Sequence, residues 1–265
     1  MFHGVASIDS TARQINRKQG HSWRAVCSGG RIAPAGERGM IHWSLSRIPV
    51  NAREEDLHSD AQRNAFRSFG SPRRRRDWVA GRMAARMLAA AALQCPAEDI
   101  EIAAVPGGPP RARTRGEDLP IALSLAHAGD WLLCAGRPGP AGAPLGTDLE
   151  PLSPRRRDVL LHALNELEIA ALAAGDPARL SSEELLQIWV IKEAILKASG
   201  SGLAVSPRRV TVSGLPSAGP PALAAAFLDG RPARVWAWRD ARLALAIAWL
   251  GDSPEELAPS ISVDY

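Results

Sequence analysis

Two stretches decide how this chain is read: GTDLE at 146–150 and WVIKEAILKASGSGL at 189–203. In an extended strand, residues i and i+2 share a face. Asp148 and Glu150 would therefore stand side by side. Paired carboxylates suit a hard cation, and Mg²⁺ commonly takes one or two of them along with water and phosphate oxygens. A solvated strand face next to a loop gives the same D-x-E pattern. The second stretch has helical spacing. Trp189, Glu193 and Lys197 fall at i, i+4 and i+8 on one stripe, which Gly200 extends. Ile188, Ile191, Ile195 and Ala198 lie opposite and are expected in the core. Lys192 flanks the stripe, about 100° around the helix from Glu193. Glu193 reads as a third carboxylate, either metal ligand or general base, and the lysines as phosphate contacts. An ordinary surface Glu–Lys pair has the same spacing. Trp189 alone reads as packing.

Working outward, Glu183 to Ser199 is the best amphipathic helix in the chain, stopped by GSGL. Asn165 opens a shorter helix, with Glu168 three residues on as a capping box. Strands are expected at 145–149, near 208–213, at 233–238 and at 243–249. Upstream, IHWSLSRIPV (41–50), IALSLAHAG (121–129) and WLLCAG (131–136) read as strands. Residues 51–69 look helical. SPRRRRDWVAGRMAARMLAAAAL (71–93) is a stronger helix, with Ser71 as N-cap and Pro72 just inside. Pro106 to Pro110 is a turn, and Gly139 to Pro144 a linker. Helices and strands mix without a βαβ rhythm, which favours α+β over doubly wound α/β. Residues 1–39 and 251–265 read as loose tails, and Met40 is an alternative start.

The 265 residues are 46% hydrophobic, enough for one large domain or two small halves. No apolar run is long enough to cross a bilayer, and the N-terminus lacks a signal-peptide core. Cys27, Cys95 and Cys134 are too few and scattered for a disulfide framework or a metal site. A cytoplasmic protein is expected. The charge of +4 and pI of about 9.4 suggest an anionic partner. Of 32 basic residues only Lys18, Lys192 and Lys197 are lysines. Two of the three therefore sit in one short segment, where a compact ammonium differs chemically from a guanidinium. Arg73–Arg76 and Arg82 form a positive helix surface, which is either solvated or a phosphate contact. His127 ends a strand, where a lone histidine is commonly structural.

The order of these parts is a basic helix ending in GR, a GxP-like turn, S-x-x-H, G-x-D-x-E, then W-x-x-K-E-A-x-x-K-x-x-G-x-G-L. Across roughly 43–250 this resembles the 4′-phosphopantetheinyl transferase family, in its larger single-chain, surfactin-synthetase-activating type. The resemblance implies a pseudo-dimer of two similar α+β halves, 40–144 and 145–250, with the active site in the cleft between them. It implies transfer of 4′-phosphopantetheine from coenzyme A to a serine of an apo acyl or peptidyl carrier protein. The products are holo carrier protein and 3′,5′-ADP. By likeness Asp148, Glu150 and Glu193 hold Mg²⁺, with Mn²⁺ also possible. Glu193 and Lys197 are catalytic. Lys192 and Lys197 contact phosphate, and His127 meets the 3′-phosphate of coenzyme A with help from Arg76 or Arg82. A monomer is implied, with no membrane or nucleic-acid partner. The carrier served is left open.

The sequence departs from the family pattern in two places. Ala126 and Ala128 stand where serines often flank the histidine. The turn reads Gly107-Gly108-Pro109 without its basic residue, for which Arg111 is the nearest substitute. Two other readings compete. A coenzyme A or carrier-protein binding module has no need of three carboxylates. Nucleic-acid binding lacks a motif or aromatic platform.

Overall fold

The computed structural model describes residues 28–32, 40–152 and 157–251. In chain order the elements are β1 (Ser28–Ile32), β2 (Ile41–Arg47), α1 (Asp60–Ser68), α2 (Pro72–Leu93), β3 (Glu101–Ala103), β4 (Arg111–Thr114) and β5 (Glu117–Asp118). Then come β6 (Ile121–Ala128), β7 (Trp131–Pro138), β8 (Leu145–Pro151), α3 (Arg157–His162), α4 (Glu166–Ala173) and α5 (Ser182–Ala198). The chain closes with β9 (Val210–Gly214), β10 (Gly219–Leu228), β11 (Arg231–Arg239) and β12 (Leu243–Trp249). This is a mixed α+β fold. Among the described residues, no helix is long and apolar enough to cross a membrane.

Among the described residues three sheets form, with strand orders β1-β2-β7-β6, β8-β12-β11-β10-β9 and β3-β4-β5. The two larger sheets share one apolar core. Trp43 and Leu45 of β2 and Leu133 of β7 meet Leu149 of β8, Trp236 and Trp238 of β11 and Leu245 of β12. Each sheet has a helix on its other face. Ala85, Leu88 and Ala89 of α2 pack on Ile121 and Leu123 of β6. Ile188, Ile191 and Ile195 of α5 pack on Val235 of β11 and Ala244 and Ala246 of β12. The order of layers is helix, sheet, sheet, helix.

The local signals explain these elements. Ser71 accepts from Arg74 N at 3.4 Å and Pro72 sits at the first turn of α2. Asn165 and Glu168 form the capping box of α4, and Ser181 and Glu184 form another on α5. Residues 51–69 are not one helix. They hold a short 3₁₀ turn at Glu54–Asp56 and then α1. Helix α5 is not amphipathic either. It is buried on nearly every side, Lys192 and Glu193 included, because α3, α4 and the β9 edge cover the face turned from the sheet. Ser28–Ile32, expected in a loose tail, pairs antiparallel with β2. The rest of both tails, with Cys27, lies outside the described residues. Cys95 and Cys134 are free thiols. Strand β10 escaped notice because Gly219, Pro220 and Pro221 open it. The register shifts there, between Gly219 and Ala222, so the missing proline donors fall outside the regular ladder.

Candidate active site

Strand β8 and helix α5 meet closely at Gly146. A Cβ built on it would lie 2.0 Å from Ala194 O and 2.5 Å from Ala198 N. No side chain fits there. Alternation puts Asp148 and Glu150 on the same face of β8 as Gly146, toward α5. The close approach brings Lys197 within reach. Its Nζ donates to Asp148 Oδ1 at 2.6 Å and to Thr147 O at 3.1 Å. Glu193, one turn earlier on the same stripe, is only 6% exposed. Its Oε1 is buried without a hydrogen-bond partner among the described residues.

The electrostatics agree with this placement. Glu193 is pushed up to about 7, first by burial, then by the charge of Asp148 and, less, Glu150. Lys197 pulls the other way. A carboxyl in this state is dry and faces other carboxylates, whose charge Lys197 only partly offsets. Oxygen donors of this kind suit a hard divalent cation, which would relieve the repulsion. Among the described residues, however, no group of three such side chains is already gathered tightly enough to form a metal cage. Asp148, Glu193 and Lys197 are brought together. Glu150 belongs to the same face and electrostatic neighbourhood.

Residues 144–248 match the family model of the 4′-phosphopantetheinyl transferase superfamily. This segment is a domain of that superfamily. It includes β8, α5 and every residue of the acidic site. No curated protein matches the chain.

Within the matched segment, the structure places Lys192 away from the phosphate role expected for it. Its side chain, about 100° around α5 from Glu193, is wholly buried and is held by protein groups rather than open to a phosphate. Nζ donates to Glu168 Oε2 at 2.7 Å and to the carbonyls of Ala163 and Val210 at 2.8 Å and Pro207 at 3.1 Å. Burial pushes its ammonium below the usual lysine range, and Glu168 opposes that. Glu168 in turn accepts from Asn165 N at 2.8 Å and Val212 N at 2.9 Å. Lys192 is thus the centre of a structural clip joining α3, α4 and β9 to α5. Trp189 packs against the same apolar core, as its type suggests.

A second cluster lies on the other sheet. Thr147 N donates to Ser124 Oγ at 2.9 Å, joining β8 to β6. A Cβ on Gly129 would lie 3.7 Å from Pro151. The two strands therefore run side by side in the same sense, with His127 near the Glu150 end of β8. His127 Nε2 is 4.0 Å from Asp77 Oδ2. Arg76 donates to Asp77 Oδ1 at 3.3 Å and to Asp130 Oδ1 at 3.0 Å. An open groove beside this cluster is lined by Val50, Pro72, Arg73, Arg76, Gly129 and Asp130. Arg82 and Arg111 do not join it by hydrogen bond or ion pair. Arg82 stacks on Trp78 at 3.9 Å, and burial lowers its guanidinium to about 10. Arg111 is 3.5 Å from Asp118 in the small sheet.

The alanines beside His127 also have a structural reason. Ala126 is buried in the core between the sheets, and Ala128 packs against it. Both point away from the face that carries His127. Sequence reasoning passed over Asp77, although one acid directly after four arginines was a visible signal. It also passed over Glu168 as a partner, since nothing in the local pattern pairs α4 with α5.

Proposed function

We propose that this protein transfers the 4′-phosphopantetheine group of coenzyme A to a serine of an apo acyl or peptidyl carrier protein. The observation that carries this reading is the convergence of Asp148, Glu193 and Lys197 across the β8–α5 contact, inside the matched superfamily domain. The arrangement of two similar halves is part of the proposal. Its support is a shared strand order, in which β2 pairs with β7 and β7 with β6, as β8 pairs with β12 and β12 with β11.

Asp148, Glu150 and Glu193 would hold Mg²⁺, or Mn²⁺ in its place. The buried, partnerless oxygen of Glu193 fits that use. When bound, such an ion supplies charge neutralisation on the pyrophosphate. Glu193, directly or through a water, accepts the proton of the attacking serine hydroxyl. The serine oxygen forms a bond to the β-phosphorus, and the bond from that phosphorus to the bridging oxygen breaks. The electron pair leaves with 3′,5′-ADP. Lys197, held by Thr147 O and Asp148, offers its ammonium to the charge gathering on the leaving group. His127 of β6 and Arg76 of α2 bind the 3′-phosphate end of coenzyme A, and the side-by-side run of β6 and β8 supports that role.

The test is intact-mass spectrometry of several apo carrier proteins incubated with the protein, coenzyme A and Mg²⁺, with a chelator control. A metal-dependent gain of one phosphopantetheine is expected. No gain on any carrier, with coenzyme A still bound, would overturn the transfer reading.

A further inference from the structure

We infer that Asp77 is a positioning residue for phosphate recognition: its buried carboxylate holds His127, Arg73 and Arg76 together as one cationic rim. The inference rests on the coenzyme A reading above and adds a residue to it.

Asp77 is the only acid between Arg73 and Arg82 and is 8% exposed. Its two oxygens divide their partners. Oδ1 faces both Nε and Nη2 of Arg76 at 3.3 Å. Oδ2 faces Arg73 Nε at 3.7 Å and His127 Nε2 at 4.0 Å. These cations come from two elements, α2 and the end of β6.

The exposures are unequal in an informative way. The side chain of Asp77 is 7% exposed, whereas those of Arg73 and His127 are 64% and 56% exposed. Here the anion lies beneath Arg73 and His127, which face outward, while Arg76 is 21% exposed and lines the groove. A buried carboxylate is costly unless paired. Two guanidiniums near one another also repel, and an imidazole adds to this only when protonated. Asp77 offsets both costs and fixes the spacing of the three donors. A guanidinium has five N–H groups in a rigid fork, so each arginine keeps donors for an incoming anion while holding Asp77. A phosphate monoester entering the groove would meet a rim already assembled. Asp130, on Arg76 from the solvent side, is the contact such an anion would displace.

The measurement is calorimetric binding of coenzyme A and of dephospho-coenzyme A, which lacks only the 3′-phosphate, together with transfer rates. In the wild-type chain coenzyme A should bind more tightly. Asp77→Asn keeps the shape and removes the charge. It should weaken coenzyme A binding roughly tenfold, leave dephospho-coenzyme A unchanged and keep kcat within about twofold. Equal weakening of both ligands, or a fall in kcat alone, would overturn the inference. If Asp77→Asn melts below the assay temperature, Asp77→Glu decides, because its carboxylate sits one methylene out of register. It should cut the preference about threefold, and an unchanged preference overturns the idea. A wild-type chain that binds both ligands equally sinks the phosphate role of His127 and this inference with it. A wild-type chain that shows the preference but transfers nothing overturns only the proposed reaction.

Discussion

Strands β2 and β8 hold matching places in their sheets. Each pairs antiparallel with the last strand of its own region, β7 for β2 and β12 for β8. Each turns alternate residues into the shared core: Ile41, Trp43 and Leu45 from β2, Leu145 and Leu149 from β8. Their other faces differ. On β2 the intervening residues are His42, Ser44 and Ser46; on β8 they are Gly146, Asp148 and Glu150. The helices differ in step. Helix α2 keeps an exposed basic end, whereas α5 is buried nearly all round and carries Glu193 against β8. The acids thus lie on β8 and α5 and the basic groups on α2 and the end of β6, and the β6–β8 contact joins the two sheets.

Breaking the acidic side should have the largest effect. Glu193→Gln and Asp148→Asn are each expected to lower transfer by roughly 10²-fold or more, with melting temperature retained. Near-normal turnover in either would remove the metal and base assignments. Lys192→Met tests the clip rather than the chemistry. It leaves Glu168 buried with its charge unpaired, so denaturant unfolding should show a loss of about 3–5 kcal/mol. A stability change near zero would return Lys192 to the list of ligand contacts. Gly146→Ala tests the close approach. Overpacking of this kind costs about 1–3 kcal/mol, and here the new methyl meets backbone on α5. Displacement of the helix should cost activity as well as stability. Ser44→Ala, at the β2 position that matches Asp148, should change stability by no more than about 0.5 kcal/mol and leave turnover alone.

The pH dependence sharpens the same comparison. Glu193 titrates at about 7 in the folded, metal-free chain, above the ordinary 4.5 of a glutamate. A raised acid favours the folded state in its protonated form. That contribution is present below the ordinary value and is lost as pH climbs through about 7. Thermal melts in chelator should therefore decline across that window, and Glu193→Gln should flatten the decline. Mg²⁺ should also flatten it and release protons on binding near neutrality, which calorimetry in buffers of different ionisation heat would detect.

Much of the site was legible because it rests on local periodicity. The two-residue repeat put Asp148 and Glu150 together, and the four-residue spacing aligned Glu193 with Lys197. Capping residues such as Ser71 and Asn165 marked helix starts for the same reason: their bonds close within a few residues. Strand β10 was not legible, because alanines and prolines carry little strand signal. Its place between β9 and β11 is set by long-range pairing.

The sequence by itself determined which side chains share a face. It could not say what would cover that face, since burial depends on elements far away in the chain. Lys192 and Lys197 show the difference within one helix. Both are lysines in one motif, yet α4 and the β9 edge close over the first, and the Gly146 contact draws the second to Asp148. Asp77 is a similar case, because its meaning depends on the arrival of His127 from another strand. Only tertiary packing decided these outcomes. A charge takes its role from its nearest partners and its access to water, and neither is a property of neighbouring residues in the chain.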